Sequence, residues 1–402
     1  MGLTSLVYTP PLRRDAVGQT LDYGVLEHAV EQYAAGDAME ATRSVFRHLF
    51  PQASPDLTQP FTFTQGSSRV TVRIDDDICF VTVPMVKLPA SGGVAALRYV
   101  LQSINSSGQL FQGRVRGDDL ALEFADKLHA LHPHKLIEVL RRMPVEADRH
   151  DDWMERQFQA TPLDRAPQEA LTPPELERAF EIWKLHWDEV DELTKEALRK
   201  RSVWFLNEVT GYAIHRIRFA LPLCGSVLPR LLEAAGTFND ADIDARKREA
   251  TLGKFIKEMK ALPPEELVKS LGHVSHAISP HGDGTPEKLT GLIGPGNYRS
   301  TIEKYLSSGY SIEAALATIG TYYYLLATHA WPADVAGLLK AGLEASSGEA
   351  WRNAATIMLS HAETVCEVVG ADPAQETDEE TDEETDEESD EESDESEEAS
   401  DE

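Results

Sequence analysis

The chain has 402 residues, is 42% hydrophobic, and carries a formal net charge of −30 from 68 acidic and 38 basic side chains. That length and apolar content suffice for two buried cores. Nineteen of the acidic residues follow Gln375, with no Lys or Arg among them; 68 less 19 leaves 49 acidic against 38 basic side chains, a net of −11, in the other 375 residues. A mildly acidic body with an intensely acidic end excludes a general nucleic-acid binder, because phosphates would be repelled.

Cys79, Cys224 and Cys366 stand far apart in apolar surroundings, with no CxxC pair. That is the cysteine usage of a reducing compartment. The first residues lack a basic region followed by an apolar run, so no signal peptide is read. No stretch of about 18 uncharged apolar residues occurs; Ile312 to Trp331 comes nearest and contains Glu313 and His329. The expected address is cytoplasmic, with no membrane partner.

In chain order, residues 1–35 read as an arm followed by a short helix from Leu21 to Ala35. Ala38 to Phe50 is helical. Phe61-Thr-Phe-Thr64, Arg69-Val-Thr-Val-Arg-Ile74 and Ile78-Cys-Phe-Val-Thr-Val83 have the alternation and the β-branched and aromatic content of strands. Gln65-Gly-Ser-Ser68 and Asp75-Asp-Asp77 are turn chemistry. A helix at Val94 to Ile104 follows, then strands at Leu110 to Arg116 and Leu120 to Phe124, then helices from Pro133 to Met143 and over Asp148 to Phe158. The last of these is expected to dock Trp153 and Phe158 back onto the module.

The resulting order over residues 36–158 is α-β-β-β-α-β-β-α with an antiparallel sheet. It resembles the type III secretion chaperone-like (CesT-like) fold, and its YbjN branch most. The resemblance rests on Arg69-Val-Thr-Val-Arg-Ile-Asp, the strand Ile78 to Pro84, the Leu97-Arg-Tyr-Val-Leu helix and the pair ending Asp118-Asp-Leu-Ala-Leu-Glu-Phe124. It covers under a third of the chain. It implies an α+β module that dimerises or grips other polypeptides, and no known chemistry.

Residues 159–174 are rich in Pro and read as a linker. Residues 175–372 read as an all-α domain of successive helices, without a fixed repeat period. Pro222, Gly225 and Pro229 break the helix that runs past Tyr212. Residues 373–402, with their Thr-Asp-Glu-Glu repeats, read as a disordered acidic tail. Its expected roles are solubility, a lure for a basic partner or for a basic surface of the chain itself, and phosphoacceptor sites.

Candidate chemistry is sparse. His129, His132 and His134 cluster, as do His273, His276 and His281 ahead of Asp283, but each set reads first as wet residues at a corner or loop rather than as metal ligands. Gly291-Leu-Ile-Gly-Pro-Gly lacks the Gly-Lys ending and the preceding strand of a phosphate loop, and reads as a turn before a helix. Glu189, Glu192, Asp188 and Asp191 read as solvated charge. Tyr322-Tyr-Tyr reads as core. Neither a cofactor nor a metal is expected, and no catalytic residue is assigned.

The strand Ile78 to Val83 is apolar on both faces, although a sheet with helices on one side needs only one. Ile78 and Phe80 point one way; Cys79, Val81 and Val83 point the other. The partner-binding candidates are Ile78 and Phe80, with Phe111 from the strand at 110–116. The expectation is a non-enzymatic adaptor or chaperone-like protein with a polypeptide partner or a second copy. The alternatives are a structural part of a larger defence or secretion assembly, and a nucleotide- or metal-binding regulator with its site near His273 to Arg299.

Overall fold

The computed structural model describes residues 3–370, apart from 17–20, 54, 91–92, 107–109 and 241. The stretch expected to be a disordered acidic tail lies outside the described residues. Among those described, no helix is long and apolar enough to cross a membrane.

Helices α1 (Tyr23–Ala34) and α2 (Ala38–Leu49) pack together, each started by an aspartate that accepts a backbone N–H: Asp22 from Val25 and Asp37 from Glu40. Strands β1 (Phe61–Gln65), β2 (Ser68–Asp75) and β3 (Ile78–Lys87), helix α3 (Gly93–Ser106), strands β4 (Gln112–Arg116) and β5 (Asp119–Lys127), and helix α4 (Pro133–Phe158) complete the N-terminal region. The antiparallel sheet runs β1-β2-β3-β5-β4. Its hairpins close through two-residue loops whose first residues, Gly66, Asp76 and Gly117, have φ of 65°, 53° and 64°.

At the first loop glycine is required twice over. The positive φ favours it, and a Cβ on Gly66 would run into the Asp148 carboxylate. That carboxylate, carried by α4, accepts from Ser67 N, Ser67 Oγ and Ser68 Oγ, and so fastens the hairpin to the helix.

The two helices expected at 133–143 and 148–158 are one helix of 26 residues with Pro144 inside it. Pro144 cannot donate to the carbonyl four residues back. The helix continues because its buried stripe (Leu136, Leu140, Met143, Ala147, Met154) runs unbroken across the proline onto the sheet.

After α4 the chain stays extended. Strand β6 (Thr161–Pro162) pairs with the end of β3 beyond a bulge at Pro84–Val86. Leu163 N then bonds Met85 O, Ala166 N bonds Ser67 O, and Glu169 pairs with His273. The Pro-rich 159–174 segment is therefore tied to both regions that it connects.

The C-terminal region is mostly helical: α5 (Pro173–Lys200), α6 (Val203–Ala220), α7 (Val227–Asn239), α8 (Ala245–Lys260), α9 (Pro264–Lys269), α10 (Pro286–Ile293), α11 (Asn297–Ser307), α12 (Ser311–Thr328), α13 (Ala333–Ala345) and α14 (Trp351–Gly370). It is not all-α. A short parallel pair, β7 (Gly282–Asp283) with β8 (His329–Ala330), lies within it, two residues per strand and too short to leave a periodic signal. Helix α12 is apolar almost all round and buried, with α6 and α14 packed against it. Tyr322 and Tyr323 belong to this core.

Glu189 corrects the reading of the α5 acids as solvated. It is buried, paired with Arg216 and in reach of the Tyr212 hydroxyl at 3.4 Å. It falls one turn after His186 and beside Val190, on the face that also buries Trp183, Leu193 and Ala197. Asp188 and Asp191 do lie outside and meet Lys260.

Residues 3–15 do not project as an arm. Leu6 belongs to the helical core, with Leu3, Tyr8 and Leu12 packed against it. Gly348 N donates to Leu6 O at 2.7 Å, Leu12 N to Ala220 O at 2.8 Å, and the Arg13 guanidinium to Leu326 O at 2.6 Å. The chain thus starts in the helical region, builds the sheet region, and returns. A strap at 275–278 crosses back to the sheet: Gly66 N donates to Ser275 O and Ala277 N to Thr64 O, and Ile278 is buried in the sheet region's core.

Candidate functional site

Alternation along the strands sorts the sheet into two unlike faces. One presents Val70, Val72, Cys79, Val81, Val83, Leu120 and Leu122, all fully buried. Helices α2, α3 and α4 supply Val45, Phe46, Ala96, Val100 and Leu140 to the same core. Burial pushes the Cys79 thiol up to about 12, which makes it a core residue and not a nucleophile.

The other face is only half-buried or exposed. Its centre is Ile78, Phe80, Thr82 and Pro84 on β3. The register sets Thr71 and Arg73 of β2 opposite Thr82 and Phe80, and Ala121, Glu123 and Ala125 of β5 opposite Pro84, Thr82 and Phe80. The guanidinium of Arg73 lies 4.0 Å from the Phe80 ring centroid while pairing with Asp75 at 2.8 Å. Arg116 pairs with Glu123 at 2.7 Å, and Arg114 approaches the same carboxylate at 3.9 Å. Thr62 and Thr71 hydroxyls meet at 3.1 Å on the β1 side. The result is an apolar strip, interrupted by Thr82, with arginine, glutamate and threonine beside it.

Of the three partner-binding candidates, Ile78 and Phe80 stand on this face. Phe111 does not: it is 5% exposed and packs into the core, because the chain entering β4 turns its ring inward. Arg73 and Glu123 were missed. The signal for Arg73 was present in the alternation of Arg69, Thr71 and Arg73 with Val70 and Val72.

The histidine sets do not assemble ligand shells; among the described residues no group of three or more His, Cys, Asp or Glu could hold a metal ion. His132 caps α4, its Nδ1 accepting from His134 N at 3.3 Å. His273 lies in the ladder with Glu169, and His276 opposite Gln65. His281 Nε2 is 3.5 Å from the Arg13 guanidinium; burial and that cation push its pKa down to about 3. Arg299 is engaged by Glu303 and Glu363. Gly294 and Gly296 form the turn from α10 to α11, and Gly291 lies within α10.

No model of a known protein family matches the chain, and no curated protein matches it.

Proposed function

We propose that the chain is a non-enzymatic adaptor whose sheet region presents the Ile78–Phe80 face to a polypeptide partner or to a second copy of the chain. One observation carries this reading: the central strand is apolar on both sides, and the helices contribute to the core on one side only. A half-exposed Phe80 beneath a guanidinium gives a planar contact surface of the kind that anchors protein interfaces. The order of elements, which resembles the YbjN branch of the type III secretion chaperone-like fold, supports the same reading. A structural role in a larger assembly would use the same face.

The test is the solution mass of the purified chain by light scattering, beside Phe80→Glu. The expected result is a dimer, or a stoichiometric complex with one polypeptide, that the substitution reduces to a monomer without changing the melting temperature. A native monomer that carries no polypeptide, or an assembly indifferent to Phe80→Glu, overturns the proposal.

A further inference from the structure

A cleft of about 450 Å³ lies on a different part of the surface, where α4 faces the 279–282 turn. Its α4 wall carries Arg141, Val145 and Arg149 at successive turns of one helical face, with Arg142 and Glu146 alongside. Arg142 reaches Glu138 at 2.7 Å, and Arg149 lies 4.0 Å from Glu146. Glu146 is itself turned to His150 Nε2 at 2.9 Å. Arg141 makes no ion pair among the described residues, and it is exposed. On the opposite wall the Ser279 hydroxyl closes a tight turn with His281, bonding its carbonyl at 3.1 Å and its N–H at 3.2 Å. That wall adds no negative side chain; with Glu146 in the lining and Glu138 held against Arg142, three guanidinium groups meet two carboxylates, and the recess keeps a net positive charge.

This sign is opposite to that of the chain as a whole. The 375 residues before Glu376 carry a net −11, and residues 376–402 carry 19 acidic side chains and no basic one. Such a segment is repelled by most of the body and attracted to a local basic recess. Its carboxylates come in the repeats Thr-Asp-Glu-Glu at 377–380, 381–384 and 385–388. Carboxylates at short intervals suit guanidinium forks spaced along a helix face.

The repeats begin 7 residues after Gly370 and end 18 after it, a reach of about 23 to 60 Å when extended, beside a radius of gyration of about 21 Å for a body of some 370 residues.

We propose that this cleft holds the chain's own acidic repeats, residues 377–388, through Arg141, Arg142 and Arg149. Bound in cis, the repeats act at an effective concentration in the millimolar range. The proposal does not depend on the use of the Phe80 face.

The test compares the full chain with a full-length variant in which each Asp and Glu from 376 to 402 is replaced by Asn or Gln. A fluorescent peptide of residues 377–388 is titrated against both by anisotropy. The peptide is expected to bind the neutral-tail variant at least about tenfold more tightly than the native chain, whose cleft is already filled. Adding Arg141→Gln and Arg149→Gln to the neutral-tail variant should weaken the peptide about tenfold. Arg141→Gln alone, where no ion pair is lost, keeps the result decisive if the double substitution lowers the melting temperature. Equal peptide affinity for native and neutral-tail chains overturns the proposal. So does indifference to the arginine substitutions, or a cleft that takes inorganic phosphate but not the peptide.

Discussion

The side-chain amide of Gln65 holds the backbone of Ile278 at both ends: its Nε2 donates to Ile278 O at 2.6 Å, and its Oε1 accepts from Ile278 N at 2.9 Å. Gln65 is the last residue of β1, and Ile278 ends the strap that returns from the helical region. A buried glutamine thus continues the edge of the sheet by imitating a strand, and the Ile278 side chain enters the sheet core. Gln65→Leu keeps the volume but leaves two buried backbone groups without partners. The expected loss is about 2–4 kcal/mol in urea unfolding, with faster amide exchange confined at first to 275–278.

Gly66→Ala should destabilise by more than about 1 kcal/mol, because the alanine meets both an unfavourable φ and the Asp148 carboxylate. Combining it with Asp148→Ala should relieve the collision but not the backbone strain. A double-mutant cycle by thermal unfolding separates the two contributions.

The buried Glu189–Arg216 pair predicts asymmetry between single and double substitutions. Glu189→Leu or Arg216→Met alone leaves an uncompensated buried charge and should cost about 3–5 kcal/mol. The double substitution should cost less than either. Arg216 also donates to Val7 O at 3.1 Å, so Arg216→Met should additionally make residues 3–15 easier to cleave with protease.

Glu208 predicts a pH dependence. Burial, and then the neighbouring Glu313, push its carboxyl up to about 7 from the ordinary 4.5. Between those values the folded chain holds a proton that the unfolded chain has lost. Its contribution to stability therefore falls as pH rises from 4.5 to 7, by at most about 1.4 kcal/mol per pH unit, and is level above. Glu208→Gln removes that slope. The stability of the variant minus that of the native chain should rise across this window; a flat difference would show that Glu208 ionises normally.

The strands were legible because their signals are local. Alternation in Arg69 to Ile74 and the turn residues Gly66 and Asp76 declare two hairpins at short range, and Gly117 marks a third. Proline misled at 144, where neighbouring packing outweighs one lost hydrogen bond, and at 159–174, where an extended chain serves as strand and strap. Phe111 and Glu189 show the commoner limit. A ring just before an edge strand takes its environment from the tertiary core, and a carboxylate on a charged helix takes its own from an element more than twenty residues away. Glu189 meets Arg216 across 27 positions, and Gln65 meets Ile278 across 213. The arginine cleft is of the same kind, since α4 supplies its charge and a turn more than a hundred residues later supplies its far wall.

The clasp between Leu6 and Gly348 has a consequence for synthesis. Residues 3–6 are made long before Gly348 and Trp351, whose N–H groups donate to Leu6 O and Leu3 O. Translation at about 5–20 residues per second puts roughly 17 to 70 s between the two events. Through that interval Leu3 and Leu6 wait for these partners, while Tyr8 and Leu12 can already meet Phe219 and Ala220 of α6. Closing this part of the helical core thus waits for Gly348, and a chain stalled before it would leave Leu3 and Leu6 without those partners.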